Sequence, residues 1–209
     1  MPDYLRDALA RFNPDVPPGW AYTLTTTRNE VRMVERFDPS LPPAARWSLL
    51  EWQGRPPTAD EREKYLRSRP PGDSGGARAN FKKADIEPGS LTLQNENDAF
   101  AEFTGRFRDV AASADKMLGR LTLRLVADKR SRHIAEYGLT LPEPYSPVLA
   151  VKMHRLDVTV RYHPPTLDRP ALPASHSSRF AGRILFVSSE ENLDLVYSDY
   201  AAASPELSR

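Results

Sequence analysis

The side chains in this sequence that could act as nucleophiles or as general acids and bases are few. His154 and Asp157 lie three residues apart in a segment with strand-like periodicity, so they face opposite sides of a strand unless a bulge intervenes. His176 stands among the three hydroxyls of Ser175–Ser178, in a segment that we predict to be a loop. A Ser–His–Asp triad needs convergence in space, and no G-x-S-x-G turn presents a nucleophile. We therefore expect no catalytic residue, and a hydrolase that uses His154 or His176 is kept as a minor alternative.

The sequence contains no pattern typical of a metal, cofactor or phosphate site. The spacings H-x-x-x-H and H-E-x-x-H do not occur, and His133 with Glu136 is only a pair. The chain has no cysteine, which excludes disulfides, cysteine zinc ligands and a thiol nucleophile. The glycine-rich stretch 72–76 lacks the G-K-[ST] ending of a phosphate-binding loop. We expect neither a metal nor a cofactor.

Charge and hydropathy limit the classes of partner. The 29 basic and 28 acidic residues give a net charge of +1, and no basic run is interleaved with aromatic residues, so nucleic acid is not expected. No apolar run approaches the ~20 residues of a membrane-spanning helix. The first dozen residues lack the basic and then apolar pattern of a signal peptide. We expect either a cytosolic protein or one from which a signal sequence has been removed.

Most of the chain consists of short segments with alternating apolar and polar residues, separated by clusters of the 20 prolines. We count about nine to eleven strands and two or three short helices. This pattern predicts a single mainly β (α+β) domain over residues 1–209, with an antiparallel sheet. Because so few helices cannot cover so large a sheet, we expect it to curl into a barrel, half-barrel or sandwich.

Particular segments give more detailed expectations. The long segment 151–162 changes its apolar phase, which predicts a β-bulge near His154–Arg155. In segment 47–52 we expect Trp47 and Leu49 on one face and Leu50 and Trp52 on the other. The two C-terminal strands are expected to pair across Glu190–Glu191.

Two helices are expected at the edges of the sheet. Residues 1–13 carry an apolar stripe typical of an amphipathic helix that plugs an open side of the sheet. Residues 59–67 form a polar helix, because Thr58 and Glu61 have the spacing of a capping box and only Tyr65 and Leu66 are large and apolar. Such a helix lies on the surface. We expect a flexible loop at 70–80 and a frayed tail at 201–209.

The inward stripes of a curled sheet either form a packed core or line a cavity for an apolar ligand. A packed core is the commoner outcome, because most apolar stripes are simply core. The large amount of sheet and the small amount of covering helix narrow the lead of the packed core without reversing it.

Three stretches resemble a known group of proteins: "FDPSLPPAARWSLLEWQGRPPTADEREKY", "EPYSPVLAVKMHRLDVTVRY" and "GRILFVSSEENLDLVYSDY". They are similar to uncharacterised Gram-negative proteins that look like relatives of periplasmic lipoprotein carriers and of the lipoprotein-binding sensor domain of envelope-stress regulators. The resemblance implies a curved antiparallel half-barrel with helices over its apolar concave side. It also implies a periplasmic location, and a connector or lid role for the polar helix.

Together these observations predict non-enzymatic binding of an acyl chain, lipid or lipoprotein in a concave cavity. The alternative is an envelope interaction or sensor module that docks a protein and has a packed core. The candidate cavity residues, taken from the inward stripes, are Leu24, Met33, Leu121, Leu123, Leu125, Val158, Val160 and Phe186. The candidate plug residues of the N-terminal helix are Tyr4, Leu5, Leu9 and Phe12. On this hypothesis, Leu123→Arg abolishes uptake and leaves the fold recognisable.

Overall fold

The computed structural model describes residues 1–69, 81–148, 150–185 and 187–203. Within these ranges the protein is mainly β, with one antiparallel sheet of eleven strands that curves as a half-barrel and does not close. The expected mainly β half-barrel with a few short helices is confirmed. The loop predicted at 70–80 lies outside the described residues, as do positions 204–209 of the predicted tail. Ala201 and Ala202 belong to the last strand, so that strand ends later than the sequence indicated.

Within the described residues, eleven strands and three α-helices follow each other along the chain. The strands β1 to β11 are Trp20–Arg28, Val31–Phe37, Trp47–Trp52, Thr92–Glu96, Phe100–Gly105, Thr122–Asp128, His133–Thr140, Tyr145–Val148, Val151–His163, Leu172–Ile184 and Val187–Ala202. The helices α1 to α3 are Asp3–Arg11, Ala59–Ser68 and Asp109–Ala114. Single 3₁₀ turns occupy Pro43–Ala45, Lys83–Asp85, Pro88–Ser90 and Leu118–Arg120.

The C-terminal hairpin lies in the middle of the sheet. The strand order is β3-β2-β1-β11-β10-β9-β7-β6-β5-β4, and β8 pairs with the far end of β9. Because β1 pairs with β11, the chain's first hairpin is joined to its last one. The hairpin β10–β11 therefore separates one half of the sheet, β1 to β3, from the other half, β4 to β7 with β9.

One face of the sheet carries both apolar clusters, and we call it the inner face. Residues directly opposite each other on neighbouring strands share a face. One row across the inner face consists of Phe103, Leu125, Tyr137, Val160, His176, Leu195, Thr26, Met33 and Trp52. This row crosses nine strands, and the hydrophobic residues at its two ends belong to different clusters.

Two of the β-bulges in the sheet bear on expectations from the sequence. In β9, Arg155 pairs with Ala181 and Met153 pairs with Gly182, so His154 is the extra residue and the expected bulge is confirmed. In β3, Glu51 pairs with Val34 and Leu49 with Glu35, which leaves Leu50 unpaired. An extra residue shifts the alternation by one. Trp52 therefore joins Leu49 on the inner face, and the expectation that it lies opposite was wrong.

The C-terminal pair is longer than the sequence indicated. Ser175–Ser178 lie in the middle of β10 and are not a loop, because this strand is paired along both of its edges. The hairpin turns between Ile184 and Val187, which pair with each other, whereas Glu190 and Glu191 pair with residues of β10. Polar serines have only a moderate preference for strands, and pairing on both sides overrides that preference.

The helices cover the two halves of the inner face. Helix α1 packs on β6 and β7, and its cluster, which we call the α1 cluster, contains Leu5 and Phe12 together with Leu123, Leu125 and Val160. Helix α2 packs against β3 and inserts Tyr65 into a second, mainly aromatic cluster. Both helices lie where the sequence predicted them, and the capping box of Thr58 and Glu61 is formed.

Candidate ligand-binding cleft

A cleft of about 1030 Å³ lies between helix α2 and strands β1, β2, β3 and β11. Its floor is the inner face of these strands, and its rim carries charged and polar side chains. The apolar residues that line it are Leu24, Val31, Met33, Leu49, Trp52, Leu193 and Leu195. The polar and charged lining residues are Thr26, Arg28, Asn29, Glu35, Gln53, Glu61, Lys64, Tyr65, Ser68 and Arg69.

The β1–β2 hairpin sets the floor of the cleft. Its two-residue turn, Asn29–Glu30, has φ values of 44° and 72°, which are typical of a type I′ turn. This turn pairs Arg28 with Val31 and fixes the register of every later pair along the hairpin. As a result Leu24, Thr26 and Arg28 of β1 share the inner face with Val31, Met33 and Glu35 of β2.

Helix α2 forms the opposite wall, and its N-terminus is held by three polar partners. The backbone N–H of Thr58 donates to the carboxylate of Glu61 over 2.8 Å, while the N–H of Glu61 donates to the Thr58 hydroxyl. The guanidinium of Arg55 donates to both carboxylate oxygens of Glu61, over 2.7 Å and 2.9 Å. The hydrogen bonds from Arg55 and Thr58 lower the pKa of Glu61 to about 2. The helix therefore begins at a fixed point beside the cleft.

A buried carboxylate holds the other end of the helix to the sheet. Glu35 has no exposed surface, and its side chain accepts a 2.7 Å hydrogen bond from the Tyr65 hydroxyl and forms an ion pair with Arg69. The Thr26 hydroxyl lies 3.5 Å from its second oxygen. The Arg69 guanidinium also lies 4.6 Å from the ring centroid of Trp47, within the range of a cation–π contact.

Through these contacts the Glu35 carboxylate holds the C-terminal end of helix α2 against the sheet. A buried charge is costly unless it is paired and hydrogen-bonded, and both of its oxygens have partners here. Burial, and then the neighbouring Glu35 carboxylate, raise the pKa of Tyr65, so its hydroxyl stays protonated and continues to donate. Neither Glu35 nor Tyr65 therefore presents an unpaired acid or base to the cleft. Its geometry supports holding the helix in place and does not support proton transfer to a ligand.

The rim of the cleft carries cationic groups. Lys64 is exposed, and no ion pair joins it to any residue that the structure describes. Arg28 also lines the cleft and is 3.9 Å from Glu191, with both side chains largely in solvent. Exposed pairs of this kind are weak and exchange readily with other anions. The cleft thus combines an apolar floor with cations at its edge.

The predicted cavity residues do not all share one cavity. Leu24 and Met33 line the cleft. Leu121, Leu123, Leu125 and Val160 are buried in the α1 cluster, and Val158 packs against that cluster. Phe186 lies outside the described residues. The predicted plug residues Leu5 and Phe12 are buried in the α1 cluster, and Tyr4 and Leu9 are partly buried against it. Helix α1 therefore occupies the half of the inner face where most of the predicted residues lie.

Several lining residues were not anticipated from the sequence. Glu35 occupies an inward position of β2, between Met33 and Phe37, and a charge in an apolar stripe is a sign of a buried partner. Trp52 reaches the cleft only because of the bulge at Leu50. Tyr65 was noted as one of two large apolar residues on a polar helix, but its partner is 30 residues away in the sequence.

The strand positions of His176 and His154 do not support the hydrolase alternative. His176 lies on the inner face of β10, while its neighbours Ser175 and Ser177 point to the outer face because successive residues alternate. Burial lowers the pKa of His176. His154 is the bulge residue of β9 and is exposed. Among the described residues, no three His, Asp or Glu side chains are grouped so that they could hold a metal ion.

The described helices also include none that is long and apolar enough to cross a membrane. The cleft beneath α2 is the site that the geometry brings forward, and it is assigned from its own residues. Comparison with protein-family models, with curated proteins and with solved structures finds no match to this chain.

Proposed function

We propose that this protein binds an amphiphilic ligand without chemical reaction, and that the ligand's acyl chain lies in the cleft between α2 and the inner face. The observation that carries the proposal is the contrast between the two halves of that face. Under α1 the predicted cavity residues are packed, whereas under α2 a space of about 1030 Å³ remains. Ligand sites commonly measure about 300–1,000 Å³ and have mostly apolar walls with a few polar groups.

The composition of the cleft supports an acyl chain. Burial of each methylene contributes about 0.8 kcal/mol, so a long chain can bind without specific polar contacts. Leu24, Met33 and Leu195 contribute apolar surface to its floor. Lys64 and Arg28 at the rim are suited to a carboxylate or phosphate headgroup. The sequence resemblance to periplasmic lipoprotein carriers favours a lipid or a lipoprotein acyl chain as the natural ligand, and the bacterial envelope as its location.

Docking of a protein on the concave face is the alternative. It is less well supported, because α1 and α2 both pack on that face and cover part of it. An envelope partner that presents an acyl group would combine the two functions.

The first test is native mass spectrometry of protein purified gently from its own host, followed by organic extraction of any bound molecule. A co-purifying lipid or acylated peptide is expected. Uptake is then measured with a fluorescent fatty acid, and with a brominated fatty acid that quenches Trp52 in the cleft wall. Trp52→Phe removes this quenching signal and identifies its source.

Matched valines make the test specific to the cleft. Val31 lines the cleft and is 40% exposed, whereas Val196 is on the outer face of β11 and is 51% exposed. Val31→Asp is expected to weaken fatty-acid binding about tenfold or more, since it places a charge beside the chain. Val196→Asp should bind as the parent protein does. The proposal is overturned if both variants bind the fatty acid equally well. It is also overturned if the parent carries no bound lipid and takes up no fatty acid.

A further inference from the structure

Strands β9, β10 and β11 extend beyond the rest of the sheet at one end. On one side, the N–H of Asn29 in the β1–β2 turn donates to the carbonyl of Asn192, and β11 continues from there to its start at Val187. Five residues at ~3.4 Å each make this extension about 17 Å long. On the other side, the pairing of β7 with β9 ends at Asp157, while β9 continues to Val151. The extension therefore consists of β9, β10 and β11, with β8 along its edge.

The end of this extension is apolar and exposed. The first row across it consists of Val148, Val151, Ile184 and Val187, which are linked by cross-strand pairing. Leu185 follows Ile184 in the turn, and its N–H donates to the carbonyl of Ala150. The exposed fractions of Val148, Ile184, Leu185 and Val187 lie between 55% and 70%. Large apolar side chains that cluster in solvent on a soluble domain mark an interaction site.

The backbone of the turn strengthens this argument. Leu185 has φ = 54°, a left-handed conformation in which glycine or asparagine is the usual residue. A bulky apolar residue there disfavours the turn and gains nothing from burial in the monomer. A costly side chain in a strained position is a reason to look for a function that uses it.

The second row carries positive charge. Lys152 and Arg183 are direct cross-strand partners, both are exposed, and Ser188 completes the row. No ion pair joins either cation to a residue that the structure describes. Two like charges placed directly opposite each other are unfavourable in the free protein.

Negative charge enters only further from the tip. On β9, β10 and β11 the first acidic residue is Glu190, in the fourth row and about 10 Å from Val187 along the strand. Beyond it, Asp157 lies 2.5 Å from Arg155, and Glu191 lies 3.9 Å from Arg28 in the weak exposed pair described above. The order from the tip inward is thus apolar, basic, neutral and then mixed.

We propose that the tip of this extension inserts into the surface of an anionic lipid bilayer, with its apolar row among the acyl chains and with Lys152 and Arg183 at the phosphate groups. An apolar surface next to basic residues is the arrangement by which peripheral elements bind anionic membranes. The basic pair becomes favourable when lipid phosphates lie beside it. The tip is separate from the cleft, so this inference does not depend on the proposed ligand.

The test is flotation of the full-length protein with vesicles of phosphatidylethanolamine and phosphatidylglycerol, and with vesicles of phosphatidylcholine alone. We expect binding to the anionic vesicles that decreases with added salt, and much weaker binding to phosphatidylcholine. Lys152→Gln and Arg183→Gln are each expected to weaken binding about fivefold. Arg67→Gln, which removes an exposed arginine of α2, serves as the matched control and should have no effect.

A second pair of variants tests the apolar row on the same strand. Val187→Asp is expected to weaken binding to anionic vesicles at least about tenfold, whereas Val196→Asp on the same strand leaves it unchanged. Both positions are exposed, so both variants should fold, which circular dichroism verifies. The proposal is overturned if the parent does not bind vesicles, if both valine variants lose binding equally, or if the tip only mediates self-association. The cleft variant Val31→Asp should still bind vesicles. Failure of vesicle binding can therefore be told apart from failure of fatty-acid binding in the cleft.

Discussion

The Tyr65 hydroxyl of helix α2 donates a 2.7 Å hydrogen bond to the fully buried carboxylate of Glu35 on strand β2. This contact explains how a helix with a single large buried side chain stays on the sheet. Its N-terminus is capped by Thr58 and Glu61, and its C-terminal turn is held by one aromatic residue that fills the second cluster and bonds a buried charge. The cleft exists because α2 is held at both ends and does not collapse onto the floor between them.

Removal of the Tyr65 hydroxyl should destabilise the protein. Tyr65→Phe keeps the ring in the aromatic cluster but leaves Glu35 with one donor fewer, and an under-satisfied buried group costs about 1–3 kcal/mol. Urea denaturation measures the loss. Tyr4→Phe is the matched control, because the Tyr4 hydroxyl donates to Glu96 at the surface over 3.3 Å and should cost less than about 0.5 kcal/mol. Equal losses would show that Glu35 does not depend on Tyr65.

Removing one partner of the Glu35–Arg69 ion pair should destabilise the protein more than replacing both partners by apolar residues. Arg69→Met leaves the buried carboxylate without its counter-ion, and loss of one partner of a buried pair costs about 3–5 kcal/mol. The double variant Glu35→Leu and Arg69→Met removes both charges, and we expect it to recover part of that loss. A double-mutant cycle in urea measures the coupling between the two residues. Additive losses would show that the pair is not coupled.

Stability should fall in mild acid because of His133, which is buried, and His176, which is partly buried. Burial lowers the pKa of His133, whose Nε2 has no hydrogen-bond partner among the described atoms, and burial also lowers the pKa of His176. Since the folded pKa lies below the unfolded value of ~6.5, this stability is fully present above about pH 6.5 and is lost as the pH falls through the folded pKa.

The unfolding free energy, measured by urea denaturation from pH 7.5 to pH 5, should therefore decrease by up to about 1.4 kcal/mol per pH unit for each group. His133→Gln should reduce this slope, and His133→Gln combined with His176→Gln should reduce it further. The same slope in the parent and in both variants would contradict the expectation.

Core and cleft should respond differently to leucine truncation. Leu123 is fully buried in the α1 cluster, so Leu123→Ala is expected to cost about 2–5 kcal/mol. For the same reason Leu123→Arg should prevent stable folding, which replaces the expectation from the sequence that the fold would remain recognisable. Leu93→Ala, at an exposed position of β4, should stay within about 0.5 kcal/mol of the parent. Under conditions where Leu123→Ala is folded, its fatty-acid binding should equal that of the parent, because Leu123 does not line the cleft. If folded Leu123→Ala bound the fatty acid more weakly than the parent, Leu123 would belong to the ligand site.

Much of the architecture could be predicted from local pattern. The period-2 stripe of Leu121, Leu123 and Leu125 predicted a buried strand, and all three residues are buried. The phase change in β9 predicted the bulge at His154, because an extra residue is the simplest way to keep both halves of a long stripe on one face. The capping box at Thr58 predicted the start of α2, since that signal lies within four residues.

The cleft could be predicted only in part. Leu24 and Met33 were identified because they lie on clear stripes. The stripes did not distinguish these cleft residues from the core residues Leu125 and Val160. An apolar residue that packs under a helix and one that lines a cavity give the same sequence pattern. The strand β10 was missed at Ser175–Ser178, because its stability comes from pairing on both sides and not from its own residues.

The sequence by itself determined the fold class, the two covering helices and the faces of most strands, because periodicity and helix capping are local properties of the chain. The tertiary structure alone decided which half of the inner face is filled and which is open. That depends on α1 lying across β6 and β7, and on Glu35 meeting Tyr65 from 30 residues away. It also decided that the apolar row and the basic row stand together at one tip, because cross-strand register aligns residues from separate segments.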